Sequence, residues 1–294
     1  MAEPLIRGFF DEGTNTVTYL LGDPATREAA IIDPVLDFDH RTGNATTKSA
    51  DVVLDAAARD GWRIARILET HVHADHLSGA PYVKQKTGAP VGIGARVREV
   101  QRIFRPVFNL TDVSGDGSEF DELYDDGAVL GVGRMRVRVM HTPGHTPACA
   151  TYIVDVGNEP FAAFVGDTLF MPDFGTARAD FPGGDAAVLY RSIRKILALP
   201  GATRLFMCHD YKAPGREGFA WETSVAEERA ANVHVKDGVG EDEFVAMRRA
   251  RDAKLAAPLL LLPSIQVNVR AGKLPAAESN GVRYLKIPVS LATG

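Results

Sequence analysis

Cysteine is almost absent from this chain: two occur in 294 residues, Cys149 and Cys208. So few cysteines exclude a disulfide framework. Both sit in or beside apolar, strand-like runs, which predicts buried structural thiols. Long apolar runs are also missing. No stretch approaches the roughly 20 residues needed to span a bilayer, and Met1-Ala2-Glu3-Pro4-Leu5 lacks the basic and then apolar layout of a secretory signal. No membrane association and a cytoplasmic location are therefore expected. Nor is positive charge in excess. Lysine and arginine total 33 against 38 aspartates and glutamates, a formal net charge of −5, and no basic block is present that would serve a nucleic acid. That leaves a small molecule as the expected partner. Internal repeats and low-complexity tracts are absent as well.

What is present is an alternation of short β-branched or apolar runs with helix-like segments, the pattern of an α/β sandwich. Val17 to Leu21 and Ala29 to Ile32 read as strands around the turn Gly22-Asp23-Pro24. Ser49 is expected to cap a helix with Val52, Val53, Ala56 and Ala57 on its apolar face and Gly61 at its end. A second helix is predicted from Ser78 to Gly88. A third is predicted after Asp185, with Leu189, Ile193 and Leu197 at spacing four and Pro200-Gly201 ending it. Thr111 to Gly127, rich in Asp, Gly and Ser, is predicted to be an exposed connection. The chain reads as a single domain over 1–294, with a helical and then extended C-terminal region from about residue 221. The helical part is expected to reach about Ala250, and the Pro-rich tail to wrap the domain as extended chain.

Four further strand candidates matter more, because each runs into a possible metal ligand. Ile64 to Glu69 leads into Thr70-His71-Val72-His73-Ala74-Asp75-His76, and Met135 to Met140 leads into His141-Thr142-Pro143-Gly144-His145-Thr146. Phe161 to Val165 leads into Gly166-Asp167, and Arg204 to Met207 into Cys208-His209-Asp210. His71, His73, His76, His145 and His209, with Asp75 and Asp167, supply imidazoles and carboxylates, a donor set suited to zinc, iron or manganese rather than calcium or magnesium. Strand ends suit a metal because the sheet fixes the backbone while loops bring distant side chains to one ion. His141 is only four residues before His145 and reads as a strand-end residue. His40 and His234 lack any such context and are expected to be structural.

These motifs, in this order, resemble the motif series of the metallo-β-lactamase superfamily, over roughly residues 15 to 215. The resemblance implies a four-layer αββα sandwich with the metal at one edge of its two sheets. Within that superfamily, Gly166-Asp167-Thr168-Leu169-Phe170 followed by Ala177-Arg178-Ala179-Asp180-Phe181, together with Tyr211-Lys212 and Trp221-Glu222-Thr223-Ser224, is similar to the persulfide dioxygenases, also called sulfur dioxygenases. Their bacterial β-lactamase-like hydrolase branch is the nearest. What this implies is a single Fe(II) held by His71, His145 and Asp167, with His73, Asp75, His76 and His209 orienting ligands or holding a second metal. The implied reaction takes glutathione persulfide or a similar small persulfide, O₂ and water to sulfite and the free thiol. Arg178, Tyr211 and Lys212 are candidate contacts for the thiol carrier; for Arg178 the competing reading is a structural salt bridge to Asp180 or Asp185. The same His/Asp series also resembles glyoxalase II, which implies the alternative of a dinuclear thioester hydrolase working with Zn(II). A homodimer is left open.

Overall fold

The computed structural model of the protein describes residues 3–290. The chain opens with strands β1 (Leu5–Asp11), β2 (Thr16–Asp23), β3 (Glu28–Ile32), β4 (Val35–Asp39) and β5 (Asn44–Thr46). Helix α1 (Lys48–Arg59), β6 (Arg63–Glu69), β7 (Leu77–Ser78), α2 (Ala80–Thr87), β8 (Val91–Gly94), α3 (Val97–Phe108) and β9 (Glu122–Tyr124) follow. Next come β10 (Val129–Val132), β11 (Met135–His141), β12 (Ala150–Val156), β13 (Glu159–Phe164), α4 (Ala186–Ile196), β14 (Arg204–Phe206) and β15 (Glu222–Ser224). Helices α5 (Val225–Ala231), α6 (Glu241–Asp252) and α7 (Leu261–Asn268) complete the elements. None of the described helices is long and apolar enough to cross a membrane.

Two six-stranded sheets face each other, one in the order β1-β2-β3-β6-β8-β9 and the other β10-β11-β12-β13-β14-β15. The layer between them is built from Leu21, Ile32 and Leu68 of the first sheet against Val137, Tyr152 and Phe164 of the second. Outside the first sheet, Leu20, Ile31 and Ile67 pack on Val53, Val83, Phe104 and Ile265 of helices α1, α2, α3 and α7. Outside the second, Ile153, Ala163 and Leu205 pack on Leu189, Ile193 and Phe244 of α4 and α6. Strands buried on both faces carry continuous apolar runs, as Tyr19-Leu20-Leu21 of β2 and Ala29-Ala30-Ile31-Ile32 of β3 do. In β11, by contrast, Met135, Val137 and Val139 turn inward while Arg136 and Arg138 turn away, and Arg138 is paired with Asp155 of β12. This is the αββα sandwich that the motif series implies.

Several local expectations need correcting. Helix α1 is preceded by Thr47 rather than Ser49; the Ser49 hydroxyl instead donates to Asp37 at 2.7 Å, and Val52 points to solvent. The Thr111–Gly127 connection is not wholly exposed, since Val113 and Phe120 are buried and β9 adds a strand within it. The stretch after Trp221 is not one helix but strand β15 and two helices, α5 and α6. The tail contains helix α7, with Ile265 and Val267 buried. Pro263 does not prevent it because it lies in the first turn, where a backbone N–H has no intrahelical partner to lose. Asp185 does cap α4, its carboxylate accepting from the Val188 N–H at 2.8 Å.

Candidate metal centre

Four loops converge at one edge of the sandwich. β11 and β13 are each antiparallel to β12, and β13 is parallel to β14, so β11, β13 and β14 point the same way and their following loops emerge together. Those loops carry His145, Asp167 and His209 respectively. The Thr70–His76 segment arrives from the other sheet after β6, and the Ala150 N–H bridges to the Thr70 carbonyl at 2.9 Å. Close packing makes glycine necessary beside two of these ligands. At Gly144, φ is +135° and an added Cβ would lie 2.3 Å from the Leu189 backbone; at Gly166, φ is +53° and it would lie 2.8 Å from the Thr70 hydroxyl. Only glycine tolerates both the dihedral and the contact.

The donors fall into two groups. His71, His145 and Asp167 each place one donor atom within 4.8 Å of the others, with the Nε2 atoms of His71 and His145 at 3.7 and 3.6 Å from Asp167 Oδ2. His73, Asp75, His76 and His209 make the second group. The two groups adjoin through His209 Nε2, which is 3.1 Å from Asp75 Oδ2 and 3.4 Å from Asp167 Oδ1.

The hydrogen-bond network fixes which ring nitrogen carries the proton in the first group. The Thr70 hydroxyl donates to Asp33 at 2.8 Å, so with its one proton used it accepts from His71 Nδ1–H at 3.0 Å. His145 Nδ1–H donates to the Arg178 carbonyl at 2.8 Å. Both rings thus turn an unprotonated Nε2 toward Asp167. His209 behaves alike, with Nδ1 3.1 Å from the Asn15 carbonyl. Lone pairs of imidazole and carboxylate aimed at one another repel unless a cation lies among them. His71 Nε2, His76 Nε2, His209 Nε2, Asp75 Oδ1 and Asp167 Oδ1 are buried without a hydrogen-bond partner, although buried polar atoms are ordinarily satisfied. These residues fit a metal ion of the zinc or iron kind.

Electrostatics sets His71 and His73 apart. Burial, aided by the neighbouring imidazoles, pushes the His71 pKa well below its ordinary value, which keeps the ring in the neutral, ligating form. For His73 burial also favours the neutral ring, but Asp33 and Glu69 outweigh it and raise the pKa well above the ordinary value. His73 Nε2 lies 3.0 Å from Asp33 Oδ1 and 3.3 Å from Glu69 Oε2. Asp33 and Glu69 carry no motif and were not foreseen. The one local sign is Asp33-Pro34 directly after a buried strand, where Asp33 takes φ +50°, a backbone region that a non-glycine residue seldom adopts.

His141, His234 and the thiols have ordinary partners. His141 Nε2 is 3.0 Å from the Tyr124 carbonyl, and His234 Nδ1 accepts from the Thr176 N–H at 3.0 Å. Cys149 and Cys208 are free and buried. Burial pushes the Cys149 thiol up to about 12 and the Cys208 thiol well above its usual value, so neither is a ready nucleophile.

A cavity of about 860 Å³ opens over the site, with Asp75, His145 and Asp167 in its wall. Phe170, Phe174 and Tyr211 line it near the metal ligands, the β4–β5 hairpin borders it through Phe38 and His40, and the segment Leu255 to Leu260 closes the far side. Tyr211 stacks on His209 with ring centroids 5.6 Å apart, and its hydroxyl is 3.5 Å from Asp75. Arg178 reaches the cavity, but its fork is committed to Asp180 at 2.6 and 2.7 Å and to the Ala256 carbonyl at 2.7 Å. The structural salt bridge is the geometry found. Lys212 is not brought to the cavity; its ammonium stands 5.6 Å over the Phe219 ring. Two further arginines line the wall: Arg248, buried against Asp252 at 2.7 Å, and Arg251, which is exposed and has no carboxylate partner among the described residues.

Comparison with known proteins places these observations in a family. Residues 12–209 match the model described as the Metallo-beta-lactamase superfamily. The chain is 56% identical to a probable metallo-hydrolase of Burkholderia pseudomallei over 97% of this chain and 98% of that protein. It is 47% identical to glyoxylase B2 of Dictyostelium discoideum over 91% of each. With the human mitochondrial persulfide dioxygenase ETHE1 it shares 30% identity over 91% of this chain and 89% of that one. The crystal structure of ETHE1 from Myxococcus xanthus superposes with a TM-score of 0.72 at 29% identity, covering 92% of this chain and all of that one.

Proposed function

Because this chain belongs to the metallo-beta-lactamase superfamily, we propose that it is a metalloenzyme of the persulfide dioxygenase type, taking glutathione persulfide or a similar small persulfide with O₂ and water to sulfite and the thiol. The observation that carries this reading is the compact group of two histidines and one carboxylate, His71, His145 and Asp167, at the wall of the cavity. Such a set leaves coordination positions for substrate and O₂ and is the arrangement of non-haem Fe(II) oxygenases. The 30% identity to a persulfide dioxygenase along nine-tenths of the chain supports it.

In this reading His71, His145 and Asp167 hold one Fe(II), and the bound iron supplies redox access to O₂. The chain's own part is orientation and exclusion of water. The Thr70 hydroxyl and the Arg178 carbonyl hold the two imidazoles in the ligating tautomer. Phe170, Phe174 and Tyr211 shield one flank of the site with aromatic surface. His209 lies between Asp75 and Asp167, its Nε2 facing one oxygen of each carboxylate.

We assign the carrier's carboxylate to Arg251 rather than Arg178, because the Arg178 charge is already matched by Asp180. Arg251→Ala is expected to raise the apparent KM for glutathione persulfide about ten-fold or more, the loss of a charge-assisted contact, with iron content unchanged. Steady-state kinetics with metal analysis reads this out. An unchanged KM in Arg251→Ala alongside a raised one in Arg178→Ala returns the contact to Arg178.

A second reading, a two-metal thioester hydrolase, is favoured by the complete second donor group His73, Asp75, His76 and His209 and by the relative called glyoxylase B2. An oxygen electrode and a sulfite assay separate the two. The iron-loaded protein should consume O₂ only with persulfide present and release sulfite, and the zinc-loaded protein should do neither, because zinc has no redox chemistry. Efficient thioester cleavage by the zinc form, with no O₂ uptake by the iron form, would replace the dioxygenase by the hydrolase.

A further inference from the structure

We infer that Asn268, the last residue of α7, is a positioning residue for the metal loop, so that the C-terminal helix is part of the scaffold that sets metal affinity. Asn268 lies beyond the segment that matches the superfamily model, yet it is 4% exposed and touches the loop three times. Its Nδ2 donates to the His73 carbonyl and to the His76 carbonyl, both at 2.8 Å. Its Oδ1 accepts from the Ser78 N–H, also at 2.8 Å. The orientation of the amide is not arbitrary. Carbonyls only accept and a backbone N–H only donates, so a flipped amide would lose all three bonds.

The contacts bracket the ligand-bearing stretch at both ends of His73-Ala74-Asp75-His76. Inside the bracket these residues have little regular structure: β6 ends at Glu69 and β7 begins at Leu77. A loop of this kind leaves its backbone groups to be satisfied by side chains. Asn268 satisfies two carbonyls at once and fixes their separation. Ser78, which it holds from the far side, donates its hydroxyl to Glu69, and Glu69 in turn faces His73. A closed circuit thus runs from α7 through Ser78 and Glu69 to His73 and back to α7. The helix is itself held, by Gln101 of α3 donating to the Val269 carbonyl at 2.9 Å and by Gln266 exchanging two bonds with the Lys286 backbone.

Outer contacts that orient metal ligands typically govern metal affinity by about ten- to a hundred-fold. Asn268→Asp keeps the shape but removes both N–H donors. The full-length chain stripped of metal and titrated with Co(II) should show an affinity at least about ten-fold weaker in this variant, with a shifted visible spectrum of the bound Co(II). Ile265→Val, a core change in the same helix, serves as the control for simple loosening of α7 and should leave both affinity and spectrum as in the wild type. Should Asn268→Asp not fold, amide exchange on the wild type gives the same answer: Co(II) should slow exchange across α7, because coupling between loop and helix is reciprocal. Unchanged affinity and spectrum in Asn268→Asp, a shift of equal size in Ile265→Val, or α7 exchange indifferent to Co(II) would each overturn the inference. A wild-type chain that binds no Co(II) overturns the metal centre itself, and this inference with it.

Discussion

Replacing His71, His145 or Asp167 by alanine is expected to cost the protein the Fe(II) proposed for this site, with turnover falling by more than about a hundred-fold in each case, the upper end of what even indirect changes around a metal produce. Each supplies one of three donor atoms that converge, and losing one of three leaves too few to retain an exchangeable divalent ion. His209→Ala is the informative contrast. It faces Asp75 and Asp167 from the second group, so most of the iron should remain. Metal analysis of protein made under iron-replete, low-oxygen conditions provides the measurement. Complete iron loss in His209→Ala with retention in Asp167→Ala would show that another ligand set is in use.

Asp33→Ala should be the most destabilising of the changes made outside the two donor groups, by about 3–5 kcal/mol, the usual consequence of removing one partner from a buried ionic network. The carboxylate is 2% exposed and accepts from the Thr70 N–H at 2.7 Å and the Thr70 hydroxyl at 2.8 Å, with His73 Nε2 at 3.0 Å. Without it His73 retains only Glu69, and Thr70 loses the interaction that makes its hydroxyl an acceptor for His71. Burial alone would raise the Asp33 pKa, but His73 and the Thr70 bonds hold it below the usual carboxylate range. Its contribution is therefore present above the unfolded-state value of about 3.9 and is lost as pH falls through the lower folded-state value. Urea unfolding of the metal-free protein tests this. An unfolding free energy within about 1 kcal/mol of wild type would mean that the network is held elsewhere.

The metal donors were legible because each stands where a periodic strand pattern stops, and a strand end followed by histidine or aspartate is a local signal. Helix α4 was legible for a similar reason, its cap and its spacing-four leucines and isoleucine lying within thirteen residues. Asp33, Glu69 and Asn268 were not. Each acts on the metal loop through contacts whose partners are far apart in the chain or set by tertiary packing, and an isolated Asp, Glu or Asn carries no pattern. Arg178 was read from its residue type, an arginine beside a metal motif. The carboxylate two residues further on, Asp180, already fills its fork. Helix α7 was missed because the proline content of the tail reads as extended chain, and the place of Pro263 in a first turn is visible only once the helix boundaries are known.

The three proposed ligands are divided between the two sheets, His71 on a loop of the first and His145 and Asp167 on loops of the second. An ion shared among them is a rivet through the sandwich as well as a reagent. A ligand that binds only the folded chain at a hundred times its dissociation constant adds about 2.7 kcal/mol to stability, and a change of that size alters how much of a marginally stable protein survives proteolysis in a cell. On the proposed reading, scarcity of the metal would then act twice, idling each molecule and shortening its lifetime.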